Sequence, residues 1–112
     1  MALLVLLASC SEPAAKKLPE DAYQRALICV SVLSTRANAL MEGGKMPESL
    51  RYVAALANAE KRRNDITAAL SKTAEDVTAD SRRVLDALRL HQTDRTIVDL
   101  YTSPCLADYE AR

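Results

Sequence analysis

The sequence predicts an all-α fold: a small three-helix bundle, or four helices if the last apolar segment separates from the third. Three observations predict it. Between Tyr23 and Leu40 apolar residues recur at alternating spacings of three and four, the helical period rather than the strand period, and further apolar stripes follow along the chain. Ala and Leu dominate a chain that is 49% hydrophobic, with no Trp or Phe and only four Tyr, a composition that favours helix over sheet. The two glycines are adjacent, and the four prolines fall between or at the edges of periodic segments. Helix interiors are thereby left free of breakers. At 112 residues the chain makes one domain, small enough that a covalent constraint adds a substantial share of its stability.

The organising element is Leu18 to Glu42. Tyr23, Ala26, Val30, Leu33, Ala37 and Leu40 fall on one helical stripe, and Leu27, Ile28 and Cys29 widen it. A stripe that wide meets more than one neighbour, so this helix is central. It is expected over about residues 20–42, with Glu20 and Asp21 in its first turn, where carboxylates favour the positive end of the helix dipole. Gly43-Gly44 closes it.

Met46-Pro47-Glu48 opens a second helix, expected over 47–72, with Pro at its start. Leu50, Val53, Leu56, Ala57, Ile66 and Leu70 form its expected buried side. Glu60 to Asp65 interrupts that stripe. Lys61-Arg62-Arg63 there reads as a solvated face with local charge pairs, since acids flank it and no aromatic is interleaved; the competing reading is a patch for lipid phosphates or an acidic partner.

A third helix is expected over 74–101. Thr73-Ala74-Glu75-Asp76 has the form of an N-cap, and Val77, Val84, Leu85 and Leu88 form a thin stripe with Arg82, Arg83, Asp86 and Arg89 outside it. The polar interval His91 to Asp94 precedes Ile97, Val98, Leu100 and Tyr101, which either continue this helix or make a short fourth. Thr102-Ser103-Pro104 is expected to break the chain, with Ser103 capping a last turn through Cys105, Leu106 and Tyr109.

Composition also narrows function. Fifteen basic residues balance fifteen acidic ones, so no net positive field draws the chain to nucleic acid. His91 is the single histidine, and the Glu-x-x-His repeats of metal-carrying bundles are absent. The chain lacks a Gly-x-Ser-x-Gly elbow, a phosphate loop and a Cys-x-x-Cys pair. Tyr23, Tyr52, Tyr101 and Tyr109 read as packing residues with hydroxyls at the surface, rather than as the lining of a ligand groove. The expectation is therefore no enzyme, no cofactor and no metal.

Met1 to Ala8 is an apolar run the length of a signal-peptide core and too short to cross a bilayer. Leu7-Ala8-Ser9-Cys10, which follows from it, resembles the lipobox of bacterial lipoproteins, in which cleavage falls before a Cys whose sulfur carries diacylglycerol. The family pattern places Lys or Arg before the apolar run, and none stands between Met1 and Ala2. The resemblance implies a signal peptide over 1–9, lipidation at Cys10, a tether over 10–19 reaching roughly 25 Å, and a bundle over 20–112. It further implies attachment at the periplasmic face of the cell envelope, with Ser11 after the modified Cys favouring the outer membrane. With Cys10 so modified, Cys29 and Cys105 remain as an even pair in a compartment that permits a disulfide. The alternative is a small buried apolar Cys29 and an unrelated thiol at Cys105.

These readings converge on a membrane-tethered envelope protein that acts by contact with another protein, as a structural or accessory subunit. Two rivals differ in what they predict. A periplasmic carrier or sensor bundle would enclose a cavity bordered by Tyr and Leu, and a soluble helical interaction protein would keep Cys29 and Cys105 reduced.

Overall fold

The structure, a computed structural model, describes residues 17–88 and 96–110. Its described residues form four helices and no strand: α1 (Ala22–Glu42), α2 (Met46–Ala69), α3 (Ala74–Leu88) and α4 (Thr96–Tyr109). The fold is the expected all-α bundle. α1 lies at the centre, packed against each of the other three, and α4 also rests on α2.

Local signals set most of the helix ends. Asp21 is the N-cap of α1, one residue outside the helix rather than within its first turn as expected, and its carboxylate accepts from the Gln24 N–H at 2.8 Å. At the other end Gly44 takes φ +74°, and the Lys45 N–H returns to the Leu40 carbonyl at 2.8 Å. Pro47 sits in the first turn of α2, where its missing N–H costs nothing. α2 stops at Ala69, three residues short of expectation, because the chain turns through Ser71 at φ 55°. The cap before α3 is reciprocal: Thr73 Oγ1 accepts from the Asp76 N–H at 3.1 Å, and Asp76 accepts from the Thr73 N–H at 3.0 Å. The Thr73 backbone N–H on its oxygen, followed by the Thr73 hydroxyl, holds the Asp76 carboxyl below the usual carboxylate range, and the reciprocal cap separates α3 from α2.

Of the two expected arrangements for the last apolar segment, the structure has the fourth helix: α3 is described over Ala74–Leu88, and α4 over Thr96–Tyr109 is a separate element. Its helix also runs through Thr102-Ser103-Pro104, where a break was expected. Pro104 offers no N–H to the carbonyl one turn back, a loss of one bond. Against that stands the burial of Val98, Tyr101, Cys105, Leu106 and Tyr109 along one face, which continues uninterrupted across the proline.

The core gathers Leu27, Val32, Leu33 and Cys29 of α1 with Ala55 and Ala59 of α2, Val84 of α3, and the buried face of α4. Tyr23, Ala26, Leu33 and Ala37 of the predicted stripe are buried, whereas Val30 and Leu40 are half-buried at its margin. α2 is the larger correction. Leu50, Val53, Ala57 and Leu70 face solvent, and the residues turned inward are Ser49, Ala55, Ala59 and Thr67, flanked by half-buried Tyr52, Leu56 and Ile66. Leu56 and Ile66 of the expected side do pack against the core, so the helix is turned by less than the roughly 100° of one residue from the face that hydrophobicity alone selects. Small side chains let its backbone come close to the bulky residues of α1, a fit in which volume outweighs the transfer energy of two or three larger side chains. On α3, Leu85 is likewise exposed rather than buried.

Candidate functional site

Two constellations hold the bundle together, and one exposed face is left over. The first constellation is the Cys29–Cys105 disulfide, with Cα atoms 5.3 Å apart and both residues fully buried. Cys29 stands mid-way along α1 and Cys105 on the inner face of α4, so the bond pins the last helix to the central one. The pair named from the sequence is thus bonded. Cys10, the proposed lipid-bearing residue, and Ser11 lie outside the described residues, as do His91 and Asp94.

The second constellation was not anticipated. Asp80 occupies the stripe position between Val77 and Val84 on α3, and it is buried. Its Oδ2 accepts from the Tyr23 hydroxyl of α1 at 2.6 Å and from the Lys72 ammonium at 3.1 Å, while Oδ1 accepts from Arg83. The Lys72 ammonium also lies 5.1 Å from the centroid of the Tyr23 ring, within cation–π range. The Tyr23 hydrogen bond, followed by that of Lys72, holds the Asp80 carboxyl below the usual range. Burial, followed by the hydrogen bond to Asp80, pushes the Tyr23 phenol up to about 12. The arrangement is an electrostatic clamp: an ionised carboxylate with each oxygen engaged, joining α1, the α2–α3 turn and α3. The sequence signal for it was a carboxylate at stripe spacing, three after Val77 and four before Val84.

The leftover face belongs to α2. Met46, Leu50, Val53 and Ala57 follow one another at spacings of four, three and four, which sets them in a line along the helix. Met46 is 52% exposed, Leu50 59% and Val53 39%, and Met41 at the end of α1 is exposed beside the turn that leads into them. The basic run further along α2 behaves as a solvated face with local partners. Lys61 pairs with Asp65 at 2.8 Å and Arg63 donates to Asn64 Oδ1 at 3.3 Å. Tyr23, Tyr101 and Tyr109 are buried and Tyr52 half-buried, so their rings pack as the sequence suggested. The Tyr23 hydroxyl differs from the expectation, since it is turned to Asp80 rather than to the surface.

No described helix is long and apolar enough to cross a membrane. No group of three or more His, Cys, Asp or Glu gathers among the described residues in a way that holds a metal ion. Comparison with protein families, with curated proteins and with solved structures finds no match to this chain.

Proposed function

We propose that this chain is a lipid-anchored protein of the bacterial cell envelope, tethered through Cys10 at the periplasmic face of the outer membrane, and that it works by contact with another envelope protein as a structural or accessory subunit. The observation that carries this reading is the buried Cys29–Cys105 disulfide. Disulfides persist in oxidising compartments. This one accounts for two of the three cysteines, and the third stands in the lipobox-like Leu7-Ala8-Ser9-Cys10. Diacylation together with an acylated amine supplies more than the single chain that gives only marginal attachment.

The exposed line Met46, Leu50, Val53 and Ala57 supports the contact role, because an apolar helical line at these spacings suits an apolar groove or a second helix on a partner. Intact-mass measurement on the protein from a diderm bacterial host tests the anchor. The expected product lacks Met1 to Ser9, carries acyl mass, yields no titratable sulfhydryl and is lost with Cys10→Ala. An unprocessed chain with three titratable sulfhydryls in the cytosol would overturn the reading. For the contact role, a photocrosslinker at position 50 is expected to capture a defined envelope species, and Val53→Glu to abolish that capture without altering the helical content.

A further inference from the structure

A cavity of about 430 Å³ opens where α1, α2 and α4 meet, and its walls are mainly polar: Arg36 from α1, Arg51 and Tyr52 from α2, and Asp99, Thr102 and Ser103 from α4. Some of these groups are already engaged. Arg51 forks onto both oxygens of Glu110, and the Thr102 hydroxyl donates to the Val98 carbonyl at 2.7 Å. Arg36, Tyr52 and Ser103 make no side-chain hydrogen bond among the described residues. The one oppositely charged group paired with Arg36 among the described residues is Asp99, 3.9 Å from its Nη1 and beyond hydrogen-bond reach.

Arg36 is the anomaly. Its Nε is the one buried side-chain nitrogen or oxygen among the described residues with no hydrogen-bond partner. An orphaned buried donor raises the free energy of the arrangement that contains it, and native structures carry few of them. The side chain as a whole is 40% exposed, so other parts of it reach solvent although Nε does not. A turn that brings the Nε–H and a terminal N–H to bear together on one acceptor group would satisfy the orphan.

We propose that this cavity binds a small tetrahedral oxyanion of the phosphate or sulfate type, gripped by the Arg36 guanidinium and by the hydroxyls of Tyr52 and Ser103, in competition with Asp99. A guanidinium presents two parallel N–H groups that match two oxygens of such an anion. Its remaining oxygens take donors from other directions, which suits hydroxyls placed on two further helices. Asp99 is a loose resident that the anion displaces, its side chain 65% exposed and ready to be resolvated. The walls are fixed in advance. Ser103 lies two residues from Cys105, which is bonded to α1, and the Arg51–Glu110 pair fastens α2 to the end of α4. Apart from the turn of Arg36 and the release of Asp99, little ordering is left to be done on binding. The site is independent of whether Cys10 carries lipid.

The test is a titration of the full chain, disulfide intact, with sodium phosphate against sodium chloride at matched ionic strength, read from the backbone amide resonances of residues 52 and 103, which every variant retains, and in the unsubstituted chain also from the Arg36 Nε–H. A saturable, phosphate-specific shift is expected. Arg36→Gln should weaken binding at least about tenfold, as removal of a charged hydrogen-bonding partner does. Tyr52→Phe should weaken it less, and Asp99→Asn should tighten it severalfold by removing the competing carboxylate. Asp99 is exposed, so its variant tests the site even if Arg36→Gln fails to fold, which melting curves would reveal. Vesicles of phosphatidylcholine with and without phosphatidic acid distinguish the source. Arg36-dependent binding only to the latter identifies a lipid headgroup, and binding of inorganic phosphate alone identifies a free anion; either supports the site. No response beyond chloride in either arm, a response unchanged in Arg36→Gln, or an Asp99→Asn variant that binds no tighter would overturn it.

Discussion

α3 and α4 are both short helices laid against α1, yet different forces hold them. α4 buries Val98, Tyr101, Cys105, Leu106 and Tyr109 and is bonded covalently to α1 through Cys105. α3 buries only Asp80 and Val84, with Val77 and Leu88 half-buried, and is fastened by the carboxylate of Asp80 to Tyr23 and Lys72. Apolar burial and a disulfide respond little to pH, whereas a clamp built on an ionised carboxylate depends on it directly. One bundle therefore contains a seam held in part by a bond that reduction breaks and another held in part by a carboxylate that protonation neutralises. In a chain without Phe or Trp, neither helix is held by apolar bulk alone.

The largest effect should come from the covalent seam. The disulfide closes a loop across a sequence separation of 76 residues, which on the chain-entropy model stabilises the fold by about 4 to 5 kcal/mol. Typical domains have only about 5 to 15 kcal/mol in total. The double variant Cys29→Ala, Cys105→Ala should thus lower the urea midpoint substantially, with protection of α4 amides from hydrogen exchange lost first. A midpoint that barely moves would mean that apolar packing alone secures α4.

An intermediate effect is expected at the clamp, and it carries a pH signature. The folded-state pKa of Asp80 is depressed, so its contribution is present above the unfolded carboxylate value and is lost as pH falls through the folded one. The Tyr23 phenol is raised from 10.0 to about 12, so its contribution is whole below pH 10.0 and is lost as pH rises towards about 12. Asp80→Asn should flatten the acid limb of the stability profile, and Tyr23→Phe should flatten the alkaline limb. Both should loosen α3 while leaving α4 protected, as residue-resolved exchange would show. Equal loosening of the two helices would erase the distinction between the seams.

The smallest effect is assigned to the cap. Thr73→Ala removes the acceptor for the Asp76 N–H and should cost about 1 kcal/mol, measured by thermal melting, with fraying confined to the first turn of α3. A larger loss would indicate that the cap, and not the clamp, positions α3.

The positions of helices and turns were legible because their causes are local. Asp21, Gly44, Pro47 and Thr73 act on backbone groups within a turn of themselves, and each does so here. The cysteine pair was legible by a different route, counting thiols once Cys10 was assigned elsewhere, and the structure bonds the two that remained. Ser103-Pro104 shows the limit of local reading. A sequence signal for a break is overridden when a continuous face of Tyr101, Cys105, Leu106 and Tyr109 is buried across it.

The face of α2 and the role of Asp80 belonged to the tertiary structure. Periodicity ranks residues by hydrophobicity and favoured Leu50, Val53 and Ala57, but the surface of α1 accepts a helix by volume and took Ser49, Ala55 and Ala59 instead. That choice left the apolar line of Met46, Leu50, Val53 and Ala57 facing solvent. Asp80 is inward only because Tyr23 and Lys72, 57 and 8 residues away in the chain, arrive at its oxygens. Interactions within one turn are written in neighbouring residues; the matching of one surface to another depends on the shape and charge of both, and it exists only once the chain has folded.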